Sequence, residues 1–457
     1  MGRDRALTAS PLTETSEVQA ALDLTTEARR ALALEGAPPL DGVHDVRPAL
    51  DRAGAEGTAL DGTDLLLFVP LLDCASRLVA YAGAVKPVAP ALAATAESLP
   101  RLRELRDRLR QALDDDGALT DKASARLAQV RRDIRERRRR LVADLERLVQ
   151  SEGERVFADR FVTVRHGRYV VPLRAEARGR LRGIVHDRSQ SGQTLFVEPE
   201  TVVEANNDLV GLLRDEEHEI LAVLTELTDG VRAHARAIAD VVETIGDIDW
   251  VFARAQLAER MAATVPVLDR DGRVEIKAAR HPLLLAQQWR DPARAVVPVD
   301  LLLSPELPLL LITGPNAGGK TIALKTLALL SLMTQAGCHV PAADHSRLPI
   351  FGRLFAIIGD DQSVAENLST FSAFVKQVRQ VLDSVDDHSL VLLDELGAGT
   401  DPDEGAALAQ AILEALADRG ALVVATTHLE PLRSFASTHA RARNASVEFD
   451  AATLAPT

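Results

Sequence analysis

The sequence predicts an α/β domain with a mostly parallel sheet and flanking helices, together with an α-helical region that carries a small β module. From residue 266 onward, short apolar runs alternate with helical patterns, which is typical of buried parallel strands. Residues 101–150 are strongly helical and amphipathic. Residues 155–200 instead contain short β-type runs separated by turn residues. A length of 457 residues suits two to four domains of this kind.

The composition narrows the class of protein. With 46% hydrophobic and 26% charged residues, the chain is an ordinary globular sequence. Two cysteines exclude a disulfide framework and a cysteine-based zinc cluster, and they fit a reducing compartment. Aromatic residues make up 3%, too few for a base-stacking platform. No secretory signal and no apolar run near the length of a membrane span is apparent, so we expect a cytoplasmic protein without a membrane partner.

Residues 1–110 are predicted to form a helical core or lever domain. Leu22, Ala28 and Ala31 lie at helical spacing, and Thr25 or Thr26 is a candidate cap for that helix. Prolines separate the helices, and no catalytic cluster or repeat is visible. A scaffold is the plain interpretation of this region.

Residues 111–262 are predicted to form a coiled-coil arm with a small β tip near 155–200. One long helix over 101–150 would carry an apolar stripe beside the basic run Arg131–Arg140. Residues 101–140 hold fourteen basic and eight acidic residues, although the whole chain has a net charge of −14. The tip adds a second basic set, from Arg165 to Arg188. These arginines are either phosphate contacts or an ordinary solvated surface.

The strongest motif follows an apolar run that ends at Thr313. Its sequence, Gly-Pro-Asn-Ala-Gly-Gly-Lys-Thr, fits a phosphate-binding P-loop between a strand and a helix that starts near Gly319. Backbone N–H groups of such a loop surround phosphates, Lys320 can reach the β- and γ-phosphates of ATP, and Thr321 can hold Mg²⁺. The predicted nucleotide-binding residues are Gly314, Pro315, Asn316, Ala317, Gly318, Gly319, Lys320 and Thr321.

Two further strand ends carry polar residues. Four apolar residues precede Asp394 and Glu395, a pattern in which Asp394 binds Mg²⁺ and Glu395 orients or deprotonates the attacking water. His428 follows the next apolar strand, where it would face the γ-phosphate. Ser369 lies at a predicted helix N-terminus that could bind the nucleotide of a partner subunit. We therefore predict an ATP hydrolase with Lys320, Asp394, Glu395 and His428 as catalytic residues.

Together these motifs resemble the ATPase of the MutS family, a relative of ABC ATPases. The resemblance includes Leu-Ser-Thr-Phe at 368–371, Leu-Asp-Glu-Leu-Gly-Ala-Gly-Thr-Asp-Pro at 393–402, Ala-Thr-Thr-His at 425–428 and Arg-His-Pro at 280–282. The tip segments Arg-Tyr-Val-Val-Pro at 168–172 and Gly-Ile-Val-His-Asp at 183–187 are similar to the second branch of that family. Bacterial members of that branch normally end in an Smr nuclease domain.

The resemblance implies an ATP-dependent clamp. Residues 263–457 would be the P-loop ATPase domain, and two such domains would pair head to tail with Ser369 acting in trans. Members of this branch are associated with splitting collided or stalled ribosomes and with branched DNA and suppressed recombination, so rRNA and branched or double-stranded DNA are the expected partners of the basic arm. No nuclease pattern is present, so we expect the chain to stop before the Smr domain and to lack nuclease activity.

Two alternatives stay open. The chain could be a binding scaffold for nucleic acid or ribosomes in which ATP is structural, although an intact Glu395 disfavours this. It could also be a conventional mismatch sensor. That alternative is weakened because helices begin at once, leaving no room for the N-terminal reader domain of the mismatch-binding members.

Overall fold

The computed structural model describes residues 2–153, 155–314, 319–359 and 370–447, with the side chains of residues 370 and 371 excepted. The helices of this part of the chain are α1 (Gly2–Thr8), α2 (Thr15–Glu35), α3 (Arg47–Ala53), α4 (Gly62–Leu66), α5 (Phe68–Val85), α6 (Pro90–Glu97), α7 (Arg103–Ala112), α8 (Ala125–Glu152), α9 (Val203–Ala233), α10 (Ala235–Met261), α11 (Pro282–Gln288), α12 (Lys320–Gln335), α13 (Thr370–Ser384), α14 (Pro402–Asp418) and α15 (Glu430–Thr438).

The strands form three sheets. In chain order they are β1 (Thr163–Arg165), β2 (Arg168–Arg174), β3 (Gly183–Arg188), β4 (Thr194–Pro199), β5 (Val267–Leu268), β6 (Val274–Ala279), β7 (Val299–Leu303), β8 (Leu309–Thr313), β9 (Arg347–Leu348), β10 (Arg353–Ile357), β11 (Ser389–Leu393), β12 (Leu422–Thr427) and β13 (Ala442–Ser446). Their orders are β1-β2-β4-β3, β10-β11-β12-β8-β13 and β5-β9-β6-β7.

The chain divides into two compact units. The α/β unit comprises Met1–Pro39, Leu78–Ser98 and Thr244–Thr457, and the arm unit comprises Leu40–Arg77 and Leu99–Glu243. The chain therefore passes between the units four times, and two of these passages lie within α5 and within α10. These units are discontinuous in sequence, whereas the expected divisions at 110 and 262 follow the chain in order; those divisions remain predictions.

The five-stranded sheet of the α/β unit confirms the predicted α/β class. All its strand pairs are parallel. Alternate residues of β8, β11 and β12 enter two separate cores, one shared with α12 and the other with α14. Burial on both faces explains why these strands appear in the sequence as continuous apolar runs.

The arm unit differs from the expected single helix over 101–150. That region forms α7 and α8 as separate helices. The segment Asp114–Gly117 turns the chain, because Gly117 adopts a φ of +80° and Asp114 accepts backbone N–H groups from residues 116 and 118. Ser124 then caps α8 through Arg126 and Leu127.

The β module follows the antiparallel order β1-β2-β4-β3. Its inner face joins the apolar stripe of α8, in a core that includes Ile134, Leu141, Leu145, Leu173 and Val197. The packing of one sheet face against α8 explains why the hydrophobic pattern of the sequence changes from a helical to a strand period between 155 and 200. β3 was not predicted as a strand, since Gly183 and His186 weaken its β pattern.

Two further expectations were wrong. Thr25 and Thr26 lie inside α2 rather than at its start, and their hydroxyls donate to the carbonyls of Ala21 and Leu22. The stretch Gly62–Val85 is also long and apolar enough to span a membrane by length and composition alone. Charged residues interrupt it, which is why no single apolar run stands out, and half of its most apolar window is buried in the folded chain.

Candidate functional site

The predicted site residues meet at the carboxyl ends of three neighbouring strands. β12 lies between β8 and β11 in the sheet. Gly314 therefore follows one strand, Asp394 the next but one, and His428 the strand between them. The crevice outside the carboxyl ends of parallel strands is the usual ligand position in open α/β sheets. The strand order thus assembles residues that are 114 positions apart in the sequence, from Gly314 to His428.

The glycine-rich loop is described at its two ends. Gly314 has a φ of +124° and Gly319 a φ of +83°, backbone conformations that residues with a Cβ atom rarely adopt. Gly319 is the N-cap of α12, which begins at Lys320 as the motif predicts. Residues 315–318, which include the predicted ligands Pro315, Asn316, Ala317 and Gly318, lie outside the described part of the chain.

Lys320 is buried at the start of α12, with 3% of its surface exposed. Its Nζ donates to the carbonyl oxygen of Gly314. Burial lowers the pKa of Lys320 from its ordinary value, while the carboxylates of Glu395 and Asp394 act in the opposite direction. Among the described residues, the hydrogen-bond partner of Lys320 is this one neutral carbonyl, so the ammonium group retains donors for an anionic ligand.

Asp394 and Thr321 form the centre of the site. The hydroxyl of Thr321 donates to Oδ2 of Asp394 at 2.8 Å. Thr426 donates to Oδ1 of the same carboxylate at 2.5 Å. The Asp394 backbone N–H continues the pairing with β10 by donating to the carbonyl of Ile357. One carboxylate and one hydroxyl 2.8 Å apart are hard oxygen donors of the kind that Mg²⁺ prefers.

Glu395 follows in an unusual backbone conformation. Its φ is +51°, in the left-handed region that residues other than glycine seldom adopt. Its N–H donates to the hydroxyl of Thr426 at 2.8 Å, and the next N–H, of Leu396, donates to the Thr426 carbonyl. Glu395 thus terminates the strand at a sharp turn beside Asp394.

A cavity of about 270 Å³ opens beside the two acids. Besides Asp394 and Glu395, its wall consists of the glycine turn after β11, the first turns of α13 and the end of β10: Ile357, Gly359, Ala373, Phe374, Gln377, Gly397, Ala398 and Gly399. The turn is tightly packed, because a Cβ on Gly397 would lie 2.7 Å from Leu429 and 3.1 Å from the carbonyl of Gly405. The turn ends at Asp401, which caps α14.

His428 and Ser369 complete the set of predicted site residues. His428 directly follows β12 and is exposed to solvent, so it lies at the predicted strand end. Ser369 lies outside the described residues, and α13 begins immediately after it at Thr370. Sequence reasoning overlooked Thr426. A polar residue at the end of an otherwise apolar buried strand is the feature that could have indicated it.

The two basic sets of the arm unit differ in their pairing. On α8, Arg131 contacts Glu216 and Asp121, Arg135 contacts Asp121, and Arg137 contacts Asp208. Arg140 pairs with Glu136. In the β module, Arg165 pairs with Asp187, and Arg168 pairs with the fully buried Glu198, which also contacts His186.

Four other arginines of the β module remain exposed: Arg178, Arg180, Arg182 and Arg188. Within the described residues, none of these four forms an ion pair. They share the module with three exposed apolar side chains, Phe161, Val164 and Ile184. On α8, Arg131, Arg135, Arg137 and Arg140 are paired with acids, whereas Arg132, Arg138 and Arg139 are exposed and form no ion pair within the described residues. Unpaired positive charge is thus present in both sets, and in the β module it lies beside exposed apolar side chains.

Comparison with known proteins shows what the sequence is similar to. Residues 310–455 match the family described as MutS domain V. Over its whole length the chain is similar to proteins of the MutS2 branch of the MutS family. It is 42% identical to "Endonuclease MutS2" of Pelotomaculum thermopropionicum and 41% identical to the protein of that name from a Geobacillus species. A third relative of that name, from Symbiobacterium thermophilum, is 42% identical.

These alignments include all of this chain but only 57%, 58% and 56% of the respective relatives. The chain thus spans a little over half the length of the curated relatives it matches. The relatives' shared name describes an endonuclease, and that name belongs to proteins longer than this chain.

Proposed function

We propose that this chain binds and hydrolyses ATP with Mg²⁺ at the edge formed by β8, β11 and β12, as the motor of a homodimeric cytoplasmic clamp. The observation that carries the proposal is the cluster of Lys320, Thr321, Asp394 and Glu395 beside a glycine-rich turn and a helix N-terminus. Each residue has the chemistry that phosphoryl transfer to water requires.

The residues divide the work as follows. The N–H groups of the loop and of the first turn of α12 bind phosphate oxygens, and Lys320 adds a positive charge to the β- and γ-phosphates. Thr321 and Asp394 would hold Mg²⁺, which when bound neutralises charge on the phosphates. Glu395 orients the attacking water and accepts its proton. His428, at the end of β12, contacts the γ-phosphate, and Ser369 of a second subunit completes the site.

The β module is the proposed contact with polyanions. Its four exposed arginines suit phosphate groups, whether these belong to collided or stalled ribosomes or to branched DNA. ATP-driven pairing of two chains would then open or close the arms on the ribosome, which is split, or on a junction whose recombination is suppressed. Any endonuclease activity would lie in sequence outside these residues. The apolar stretch Gly62–Val85 acts in this proposal as a core helix, without a membrane.

Replacement of Glu395 by Gln tests the proposal. The variant should bind ATP like the wild type but hydrolyse it about 100-fold or more slowly, because the side chain can no longer accept a proton. Glu414→Gln, on the exposed side of α14, is the matched control and should hydrolyse at the wild-type rate. Equal turnover in all three proteins would remove Glu395 from the reaction. ATP binding without turnover in the wild type would favour the scaffold with structural ATP.

A competition experiment distinguishes the targets. The Glu395→Gln protein, held with ATP, is sedimented with ribosomes while branched DNA is added as competitor. Retention on ribosomes supports a primary role in translation rescue, and loss to the DNA supports recombination control. Preferential binding of mismatched over matched duplex would instead favour the mismatch sensor.

A further inference from the structure

A single buried hydroxyl connects the two acids of the proposed ATPase site. Thr426 is fully buried at the end of β12. Its hydroxyl donates to Oδ1 of Asp394 at 2.5 Å and accepts the backbone N–H of Glu395 at 2.8 Å. A threonine hydroxyl has only one proton, so its donor capacity is committed to Asp394.

The first bond fixes the carboxylate of Asp394. The terminal torsion of an aspartate is broad, so the two oxygens of an unrestrained carboxylate exchange places easily. Here Oδ1 accepts from Thr426, which leaves Oδ2 toward Thr321 at 2.8 Å. The oxygen that faces the proposed Mg²⁺ position is therefore selected by a residue on a different strand.

The second bond supports the strained backbone of Glu395. A non-glycine residue at a φ of +51° is strained and persists only where its surroundings impose that conformation. Thr426 supplies two such restraints, since its hydroxyl accepts the N–H of Glu395 and its carbonyl accepts the N–H of Leu396. The direction in which Glu395 leaves the strand thus depends on Thr426.

We infer that Thr426 is a positioning residue, which holds Asp394 and Glu395 in the arrangement needed for Mg²⁺ binding and water activation. The inference rests on the proposed ATPase function. In the proposed site Thr426 contacts neither the nucleotide nor the attacking water. It acts by holding the side chain of Asp394 and the backbone of Glu395 in place. Its branched Cβ restricts the first side-chain torsion, which favours a hydroxyl held in one direction.

The test compares Thr426→Val with Thr426→Ser. Valine keeps the shape of threonine and lacks the hydroxyl, whereas serine keeps the hydroxyl. Mn²⁺ is used as the probe, and its binding to the protein with a non-hydrolysable ATP analogue is followed by electron paramagnetic resonance. Thr426→Val should weaken Mn²⁺ binding about 10- to 100-fold, as loss of partners of metal ligands generally does.

The kinetic constants supply a second readout. Thr426→Val should lower kcat and raise KM for the metal–ATP complex, whereas binding of metal-free ATP should stay at the wild-type level, because Lys320 and the glycine loop still bind the phosphates. Thr426→Ser should stay within about threefold of the wild type in both readouts, because its hydroxyl can make both bonds. Thr334→Val is the matched control, since Thr334 is also buried and its hydroxyl proton is donated to the carbonyl of Leu330 within α12.

The outcomes distinguish a failure of the inference about Thr426 from a failure of the ATPase proposal. Wild-type Mn²⁺ affinity in Thr426→Val, or the same loss in Thr334→Val, would overturn the inference while leaving the ATPase proposal intact. Failure of the wild-type chain to bind nucleotide would overturn the ATPase proposal itself. If thermal melting shows that the valine variant does not fold, Thr426→Cys replaces it. Its thiol is a weak donor, so an intermediate loss is expected and a wild-type affinity would again contradict the inference.

Discussion

The strand ends of the α/β unit and the arginine-rich helix of the arm unit show two ways in which a sequence motif relates to function. At the strand ends, residues from separate segments come together, and each retains chemistry that a ligand can use. On α8, residues from one contiguous run receive acidic partners from elsewhere in the same unit. Spacing alone distinguishes the first motif, whereas the pairing in the second depends mainly on acids outside the run.

The difference has a physical origin. A parallel sheet places the carboxyl ends of its strands along one edge, so residue types that follow apolar strands are brought close by topology. A charged run on a helix surface is neutralised or left free according to the neighbouring helix. Glu216 and Asp208, both on α9, pair with Arg131 and Arg137 although 85 and 71 positions separate them in the sequence.

The largest effect is expected when the positive charge of the buried Lys320 side chain is removed, which tests whether the strand ends bind a nucleotide. Lys320→Ala should weaken ATP binding on the order of 100-fold, because charge-assisted hydrogen bonds to phosphate contribute about 1.5–3 kcal/mol each. Titration with a fluorescent ATP analogue measures the effect. Lys325→Ala, an exposed lysine on the same helix, is the control and should bind normally. Wild-type affinity in Lys320→Ala would refute the assignment of the loop.

A second experiment sets the two basic sets against each other with equal charge changes. Replacing Arg178, Arg180 and Arg182 by Gln should reduce the salt dependence of binding to a DNA junction by about 3 in log K against log salt. The same change at the paired residues Arg135, Arg137 and Arg140 should reduce it by less than about 1, because their charges are already neutralised. The affinities are measured by fluorescence anisotropy over a series of salt concentrations.

The contrary result is equally informative. A larger effect of the α8 set would mean that its ion pairs exchange acidic partners for phosphates on binding. The contact surface would then move from the β module to the helix, and the comparison would lose its basis.

Much of the site could be predicted because its information is local. The apolar strands, the start of α12 at Lys320 and the pairing of Asp394 with Thr321 all follow from motifs whose geometry a parallel sheet imposes. The polar end of β12 marks Thr426 as a candidate, but its two bonds to Asp394 and Glu395 join different strand ends and are not apparent from its neighbours in sequence.

The fold of the arm was less predictable for a similar reason. The break between α7 and α8 depends on a glycine and an aspartate that compete with a strongly helical flanking pattern. The pairing of the α8 arginines depends on α9. Each unit combines segments that are separated in the sequence, and the sequence does not show which segments tertiary contacts will bring together.

The smallest expected effect concerns a buried histidine that follows the C-terminal end of α12 and contacts an arginine of α2. His339 is 1% exposed, its Nδ1 lies 3.0 Å from Arg29, and its Nε2 lies 3.1 Å from the hydroxyl of Thr26. Burial, aided by the charge of Arg29, lowers the pKa of His339 to about 4. The folded unit therefore excludes a proton that the unfolded chain binds below about pH 6.5.

The stability of the protein should accordingly fall as the pH decreases from about 6.5 toward 4, with His339 contributing a slope of at most about 1.4 kcal/mol per pH unit. His339→Gln removes this titration and should flatten the dependence in that window, measured by urea unfolding at several pH values. An equal slope in His339→Gln and the wild type would show that His339 is protonated in the folded state. A protonated His339 cannot accept a hydrogen bond from Arg29, so that contact would have to break as the pH falls. The buried charge of the α/β unit would then change its partners, as the α8 arginines would if they exchanged acids for phosphates.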